Sequence, residues 1–334
     1  MMKRILISIP AYSEADNVVP LYNALKEGLK PVWAKYDFEF LYINDGSKDD
    51  TVAQVRSLME TAPEVSLLDL SRNYGKEIAM TAGFDYFHHD AMVTIDADLQ
   101  MPVSTIVDMI NLWEQGYEDV YAKRNKRMGE SWLKKATSRW FYKTLQSVSH
   151  APVVADAGDF RLLDKKVVAA ICQLRESERY TKGLYSWVGF KKAQVEFDAL
   201  PRLHGQTKWN FRKLFGLAMQ GITSYTTAPL KVSTYSGFAI SLAAFIYLLY
   251  VLIKTLLYGS DTSGFPTLVI LILFIGGVQL ISIGILGEYL GRIFNETKQR
   301  PLYFIEDIYH RSLDDNSAEE ASSPKDNDLS SNHA

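Results

Sequence analysis

The chain has 334 residues, 47% of them hydrophobic and 22% charged, with a formal net charge of −3. That length holds a soluble domain of ordinary size plus further segments, and the balance of charge points to no nucleic-acid partner. A single cysteine, Cys172, excludes an internal disulfide and a thiolate metal site; it reads as a small buried residue of a helix.

The opening "MMKRILISIP" does not read as a signal peptide, because its apolar run is only about five residues and Pro10 ends it. The bulk of the chain is therefore expected in the cytoplasm. Four short apolar runs have strand character: 4–9, 38–43, 65–70 and 91–95. Helical patterns lie between and after them, at about 16–35, 50–61, 75–88 and 102–115. This alternation predicts an α/β domain with a mostly parallel sheet covered on both faces. Ligands of such sheets sit at the carboxyl ends of the strands. The polar clusters "PAYSEAD", "NDGSKDD", "SRNYGKE" and "DADLQ" all fall there.

In "TIDADLQ", Asp96 and Asp98 sit two residues apart just after the fourth apolar run. If the backbone stays extended, their carboxylates leave on the same side. Paired carboxylates ionise comfortably only beside a cation, and hard oxygen ligands favour Mg²⁺ or Mn²⁺. Gln100 adds an amide oxygen for the metal or a hydrogen bond to a phosphate. Alternatively, Asp98 is simply an N-terminal cap of the next helix. Asp45 and Gly46 follow the second strand, as a hydrogen-bond acceptor for a nucleoside or as an ordinary Asp-Gly turn. Tyr12 offers a stacking ring and Glu14 an acceptor, or the pair belongs to a loop and cap. No G-x-G-x-x-G occurs, and the one Gly-Lys, Gly75-Lys76, has Leu70 where a phosphate loop needs glycine. A diphosphate bound here relies on a metal and side-chain cations.

Further on, "TKWNFRKLFGLAMQGITSY" presents a broad apolar face with Lys208, Arg212 and Lys213 at its start, the pattern of a helix lying in a membrane interface or of a core helix. Residues 232–258 and 266–290 each exceed the roughly 20 apolar residues that span a bilayer. Basic residues flank the pair and none lies in the loop between, which puts both flanks in the cytoplasm. The last 24 residues, from Arg311, hold six acids against two bases, lack aromatics, and read as a disordered tail. The expected division is a catalytic domain over 1–206, an interfacial helix over 207–230, a two-span hairpin over 231–291, a cytoplasmic segment over 292–310 and the tail over 311–334.

The ordered set "SIPAYSEADNV", "INDGSKDDT", "LSRNYGKEIAMTAGFDY", "TIDADLQMP", "DAGDFRLLDK", "GQTKWNFRKLFGLAMQGITSYTTAPLK" and "LGEYLGRIFNETKQRPLYF" resembles the polyprenyl-phosphate glycosyltransferases of GT-A fold, the group of bactoprenol glucosyltransferases and dolichol-phosphate mannose synthases. The resemblance runs from about residue 3 to 308. It departs from the usual opening "PxYNE" at Ser13, which leaves Glu14 in place. The resemblance implies inverting transfer of a sugar from a nucleotide diphosphate to the phosphate of a membrane polyprenol. It assigns Pro10, Tyr12, Glu14, Asp45 and Lys76 to the donor pocket. Asp96, Asp98 and Gln100 would hold the metal. Arg124, Arg127, Arg202 and Lys208 would meet phosphates, and Asp159, with Asp156 in reserve, is the acid near the acceptor. The basic residues also suit plain surface charge or attraction to anionic lipid heads, and the two acids suit turn caps around Gly158. The family also implies a tetramer in the inner membrane. "DAGDFRLLD" resembles the glucosyltransferase branch, so UDP-glucose is the first donor; GDP-mannose, UDP-N-acetylglucosamine and UDP-4-amino-arabinose derivatives stay open. Two rivals are a processive polysaccharide synthase and a non-catalytic nucleotide-sugar-binding protein. The first needs Q-x-x-R-W, but the only Arg-Trp is Arg139-Trp140, with Ala136 in the Gln position.

Overall fold

A computed structural model describes residues 2–125, 157–177, 179–198, 228–258 and 264–310. Eight strands form one sheet: β1 (Lys3–Ala11), β2 (Tyr36–Asn44), β3 (Val65–Leu70), β4 (Ala91–Thr94), β5 (Asp119–Arg124), β6 (Ala157–Asp164), β7 (Lys192–Phe197) and β8 (Ile305–Tyr309). Their order across the sheet is β7-β5-β6-β4-β1-β2-β3-β8. The inner strands β4, β1, β2 and β3 run parallel; β6 and β8 run antiparallel to their neighbours. Strands β1 to β3 are buried along nearly their whole length, as sheets covered on both faces require.

Helices α1 (Ala15–Gly28), α2 (Thr51–Met59), α3 (Lys76–Tyr86) and α4 (Ser104–Glu114) follow the first four strands in turn. α1 stops well short of residue 35 because Pro31 disfavours helical backbone at the residue before it. Val18, Leu21 and Leu25 bury its inner face. α5 (Lys165–Cys172) and α6 (Thr181–Trp187) lie between β6 and β7. Cys172 is half-buried at the end of α5, and burial pushes its thiol up to about 11.

α3 lies very close to the sheet. A Cβ on its Gly83 would stand 2.6 Å from Ile43 Cδ1 and 2.8 Å from Ser8 Oγ. Gly83→Ala is therefore expected to cost ~1–3 kcal/mol through overpacking. A thermal-unfolding midpoint in detergent equal to that of the parent would contradict this.

Two long helices, α7 (Ala228–Tyr258) and α8 (Phe265–Thr297), replace the shorter spans read from the sequence. Each contains a window long and apolar enough to cross a membrane, Leu230–Tyr247 and Phe274–Thr297. Ser233 donates to Ser282 Oγ between them at 2.8 Å. No described atom lies within 4 Å of a Cβ placed on Gly276, Gly277 or Gly284. The expected interfacial helix falls mainly on 207–227, outside the described residues.

After α8 the chain comes back to the sheet. β8 pairs with the edge strand β3, Leu67 opposite Tyr309 and Leu68 opposite Ile308, which covers an otherwise open edge. Phe304 accepts from Ser71 N (3.1 Å) and donates to Tyr74 Oη (3.2 Å). Tyr303 Oη donates to Asp85 Oδ2 (2.8 Å), and Ser177 N donates to Glu296 Oε2 (3.0 Å). The segment read as a plain cytoplasmic extension thus clasps both ends of α3. Tyr303→Phe is expected to loosen the C-terminal end of α3, read as faster amide exchange over 83–87; unchanged exchange there would show that the clasp contributes nothing.

Candidate active site

The strand order reverses at β1: β2 and β3 lie on one side, β4 on the other. The crevice at such a reversal is where open α/β sheets bind ligands. Pro10 lies opposite Ile43, one pair before the β1–β2 ladder ends at Ala11 and Asn44, and Tyr12 stands just beyond the strand, exposed. Ser13 has a φ of +56° and its N–H donates to Ser47 Oγ (2.9 Å). Glu14 occupies the N-cap position of α1 without a side-chain cap bond, and its carboxylate accepts from Asn17 Nδ2 at 2.5 Å.

Asp45 is buried beyond the end of β2. Its two carboxylate oxygens accept from Tyr74 N (2.7 Å) and Gly75 N (2.9 Å). Burial raises its pKa, against the pull of these two amides and of Arg72. The loop from Ser71 to Gly75 is thus shaped around Asp45. Gly46 must be glycine here: its φ is +64° and a Cβ would meet the Arg72 carbonyl carbon at 2.4 Å.

This loop delivers Lys76, the first residue of α3. Its ammonium lies 2.5 Å from Asp96 Oδ1 and 3.0 Å from Asp159 Oδ2. Burial works against the charge on Lys76, but the two carboxylates outweigh it and raise the pKa. Asp159 lies in β6, which runs antiparallel beside β4 and so brings Asp159 back toward Asp96. Its side chain is 11% exposed, and its Oδ1 is buried with no hydrogen-bond partner among the described residues. Burial raises its pKa, yet Lys76 first, then Lys182 and Arg161, bring the net shift below the usual carboxylate range.

The loop after β4 corrects one expectation. The strand ends at Thr94 and the chain turns at 97–98, so Asp96 and Asp98 are not alternate residues of an extended strand. Asp98 Oδ1 accepts from Gln100 N (3.2 Å) across Leu99, whose φ is +59°. Nor does Asp98 cap α4, whose N-cap position is Val103. A carboxylate pair and an amide oxygen on one partly open turn still have the chemistry that suits a hard divalent ion.

Arg124 ends β5, half-buried and in register with Phe197. Asp156, Arg127, Arg202 and Lys208 lie outside the described residues. The sequence did not point to Glu77, Thr181 or Arg161. Glu77 Oε2 accepts from both Thr181 N (2.9 Å) and the Thr181 hydroxyl, pinning the start of α6 beside Lys76. Arg161, 3% exposed, donates to both oxygens of buried Asp119 at 3.0 and 3.1 Å, which fixes β6 on β5 two residues from Asp159. The adjacency in "GKE" and in "DFR" was the only signal for them.

A lysine bridging two acids at the switch point of a mostly parallel sheet, followed by a two-helix apolar hairpin, gives an α/β domain with a charged crevice and an apolar C-terminal hairpin. The chain belongs to glycosyl transferase family 2, whose model matches residues 6–172, and the hairpin matches the GtrB C-terminal hairpin over 228–293. It is a glycosyltransferase of GT-A architecture. Among its relatives, the Synechocystis protein named uncharacterized glycosyltransferase sll0501 is 46% identical over 91% of this chain and 95% of its own length. The bactoprenol glucosyl transferase of Shigella phage SfV is 41% identical, covering 90% of this chain and 98% of the other. The prophage bactoprenol glucosyl transferase homolog of Escherichia coli is 40% identical over 91% and 99%.

Proposed function

We propose that the protein transfers glucose from UDP-glucose to the phosphate of a membrane polyprenol, undecaprenyl phosphate, with inversion at the anomeric carbon. The observation that carries this is the end-to-end similarity, hairpin included, to proteins named for glucosyl transfer to bactoprenol. A polyprenyl tail stays in the bilayer, and an enzyme ending in two apolar helices is suited to meet it there.

An acceptor phosphate oxygen bonds to the anomeric carbon as the bond from that carbon to the diphosphate breaks, its electron pair leaving with the nucleoside diphosphate. A phosphate monoester has a second pKa near 6, so the acceptor is already largely a dianion and needs no strong base. The work lies in bringing two anions together. Pro10, Tyr12 and Glu14 border the donor end of the crevice. Asp45 holds the loop that delivers Lys76, and Lys76 sets Asp96 and Asp159 against one another. Asp96, Asp98 and Gln100 would hold Mg²⁺ or Mn²⁺, which when bound supplies positive charge to the donor diphosphate. Asp159, kept ionised, orients the acceptor or takes its last proton; Asp156 is the reserve for that role. Arg124, Arg127, Arg202 and Lys208 supply charge for the phosphates.

The catalytic domain and both termini lie on the cytoplasmic side, the spans cross the inner membrane, and the chain assembles as a homo-oligomer, a tetramer in keeping with the family. A donor panel of UDP-glucose, GDP-mannose, UDP-N-acetylglucosamine and a UDP-4-amino-arabinose derivative against undecaprenyl phosphate tests the sugar. Glucose transfer is expected to dominate, and a preference for another donor would overturn that choice. Reversing the charge at Arg202 is expected to raise the acceptor KM well beyond the donor KM; equal changes would contradict an acceptor role.

A further inference from the structure

Lys182 is the second residue of α6, and this helix is wedged between the two elements that carry the charged core of the site. On one side Thr181 is held by Glu77, the residue after Lys76. On the other, fully buried Tyr185 lies under the Arg161 guanidinium, 3.6 Å from ring centroid to Cζ, and Arg161 follows Asp159 by two residues. Phe84 of α3 meets the Tyr185 ring edge-on at 6.4 Å. Position 182 is therefore fixed with respect to both Lys76 and Asp159.

Two cations of the site already have acids. Lys76 is shared by Asp96 and Asp159, and Arg161 is held bidentate by Asp119. Lys182 is half-buried, and among the described residues no carboxylate lies within ion-pair distance of its ammonium. Its charge nevertheless reaches Asp159 and, with Lys76 and Arg161, helps to keep that carboxyl ionised. An ammonium carried on an anchored helix, with no carboxylate paired to it among the described residues, in a site that must gather anions, suits a phosphate oxygen. Two phosphate sources are available, the donor diphosphate and the acceptor monoester. Among the described residues, the contacts that place α6 run to Glu77 and Phe84 of α3 and to Arg161 of β6, the strand of Asp159, and not to the 96–100 turn, which favours the acceptor.

We propose that Lys182 binds the phosphate of the acceptor lipid and holds it beside Asp159. This rests on the polyprenyl-phosphate reading above. The test uses the full-length protein in detergent with undecaprenyl phosphate and UDP-glucose. Lys182→Met is expected to raise the acceptor KM by about ten- to a hundredfold, with the donor KM within about twofold of the parent, and Lys182→Arg to recover most of the loss. Farnesyl phosphate, a short soluble acceptor mimic, is expected to raise the thermal-unfolding midpoint of the parent and of Lys182→Arg, and not that of Lys182→Met. An unchanged acceptor KM, a shift confined to the donor KM, or equal stabilisation of parent and Lys182→Met by farnesyl phosphate would overturn the proposal. If the parent itself made no lipid-linked sugar and gained nothing from farnesyl phosphate, the polyprenyl-phosphate reading would fall first and this assignment with it. A parent that is active beside an unshifted Lys182→Met would remove this assignment alone.

Discussion

Lys76→Met is expected to lower kcat/KM by about 10²–10³-fold, the scale of losing one preorganised charged donor from an active site. The reason is electrostatic. Asp96 and Asp159 share one ammonium, at 2.5 and 3.0 Å. With methionine in its place the acids face each other with no shared cation, and like charges at such separation drive one carboxyl to hold its proton. The sign of the pH effect follows. In the parent, the net pull of Lys76 and its neighbours places the Asp159 pKa below its ordinary value, so its ionised form stabilises the fold above the usual carboxylate range. That stability is lost as pH falls through the lowered value. In Lys76→Met the Asp159 pKa is expected above its unfolded value, so the sign inverts: the protein is weakened at neutral pH and recovers as pH falls. The acid limb of kcat/KM moves to higher pH. An acid limb that stays in place, with stability that still drops on acidification as in the parent, would show that Lys76 does not govern Asp159.

The second large effect is expected at Asp98. Asp98→Ala should remove metal-dependent turnover, a loss of about 10²-fold or more, since a Lewis-acidic ion supplies several kcal/mol of charge stabilisation. Asp98 also accepts from Gln100 N in the turn that follows β4, so alanine removes a structural bond along with the charge. Asp98→Asn separates the two, because an amide oxygen can still accept from Gln100 N but brings no negative charge. Both variants are expected to be inactive, and both to show weakened Mn²⁺ binding by electron paramagnetic resonance in the presence of UDP. Parent-like turnover in Asp98→Ala would refute the metal assignment. An active Asp98→Asn beside an inactive Asp98→Ala would reassign Asp98 to holding the turn.

The inner strands were legible because they are buried on both faces: β3 is Val65–Leu70, the same six residues the apolar run marks. Lys76 and Asp159 were marked as site residues only through resemblance, and that they meet at Asp96 was not legible. Three separate segments supply them, and the antiparallel return of β6 beside β4 does not register in local periodicity. The i, i+2 geometry of the two acids failed for a local reason: β4 is only four residues long and the chain has already turned at Asp98. β8 escaped notice because it is short and largely exposed, and because its partner β3 lies more than 200 residues earlier. Lys182 carried no signal at all. One lysine in "ERYTKGLYSW" resembles any solvated residue until the bonds of Thr181 and Tyr185 fix where it stands.

The most direct test of the central claim is to mix the purified full-length protein with undecaprenyl phosphate, radiolabelled UDP-glucose and Mn²⁺, with and without excess chelator, and to extract with chloroform–methanol. The expected result is label in the organic phase that depends on both the lipid and the metal. Label in an insoluble polymer, label only in water-soluble sugar, or full-speed lipid labelling in chelator would contradict it.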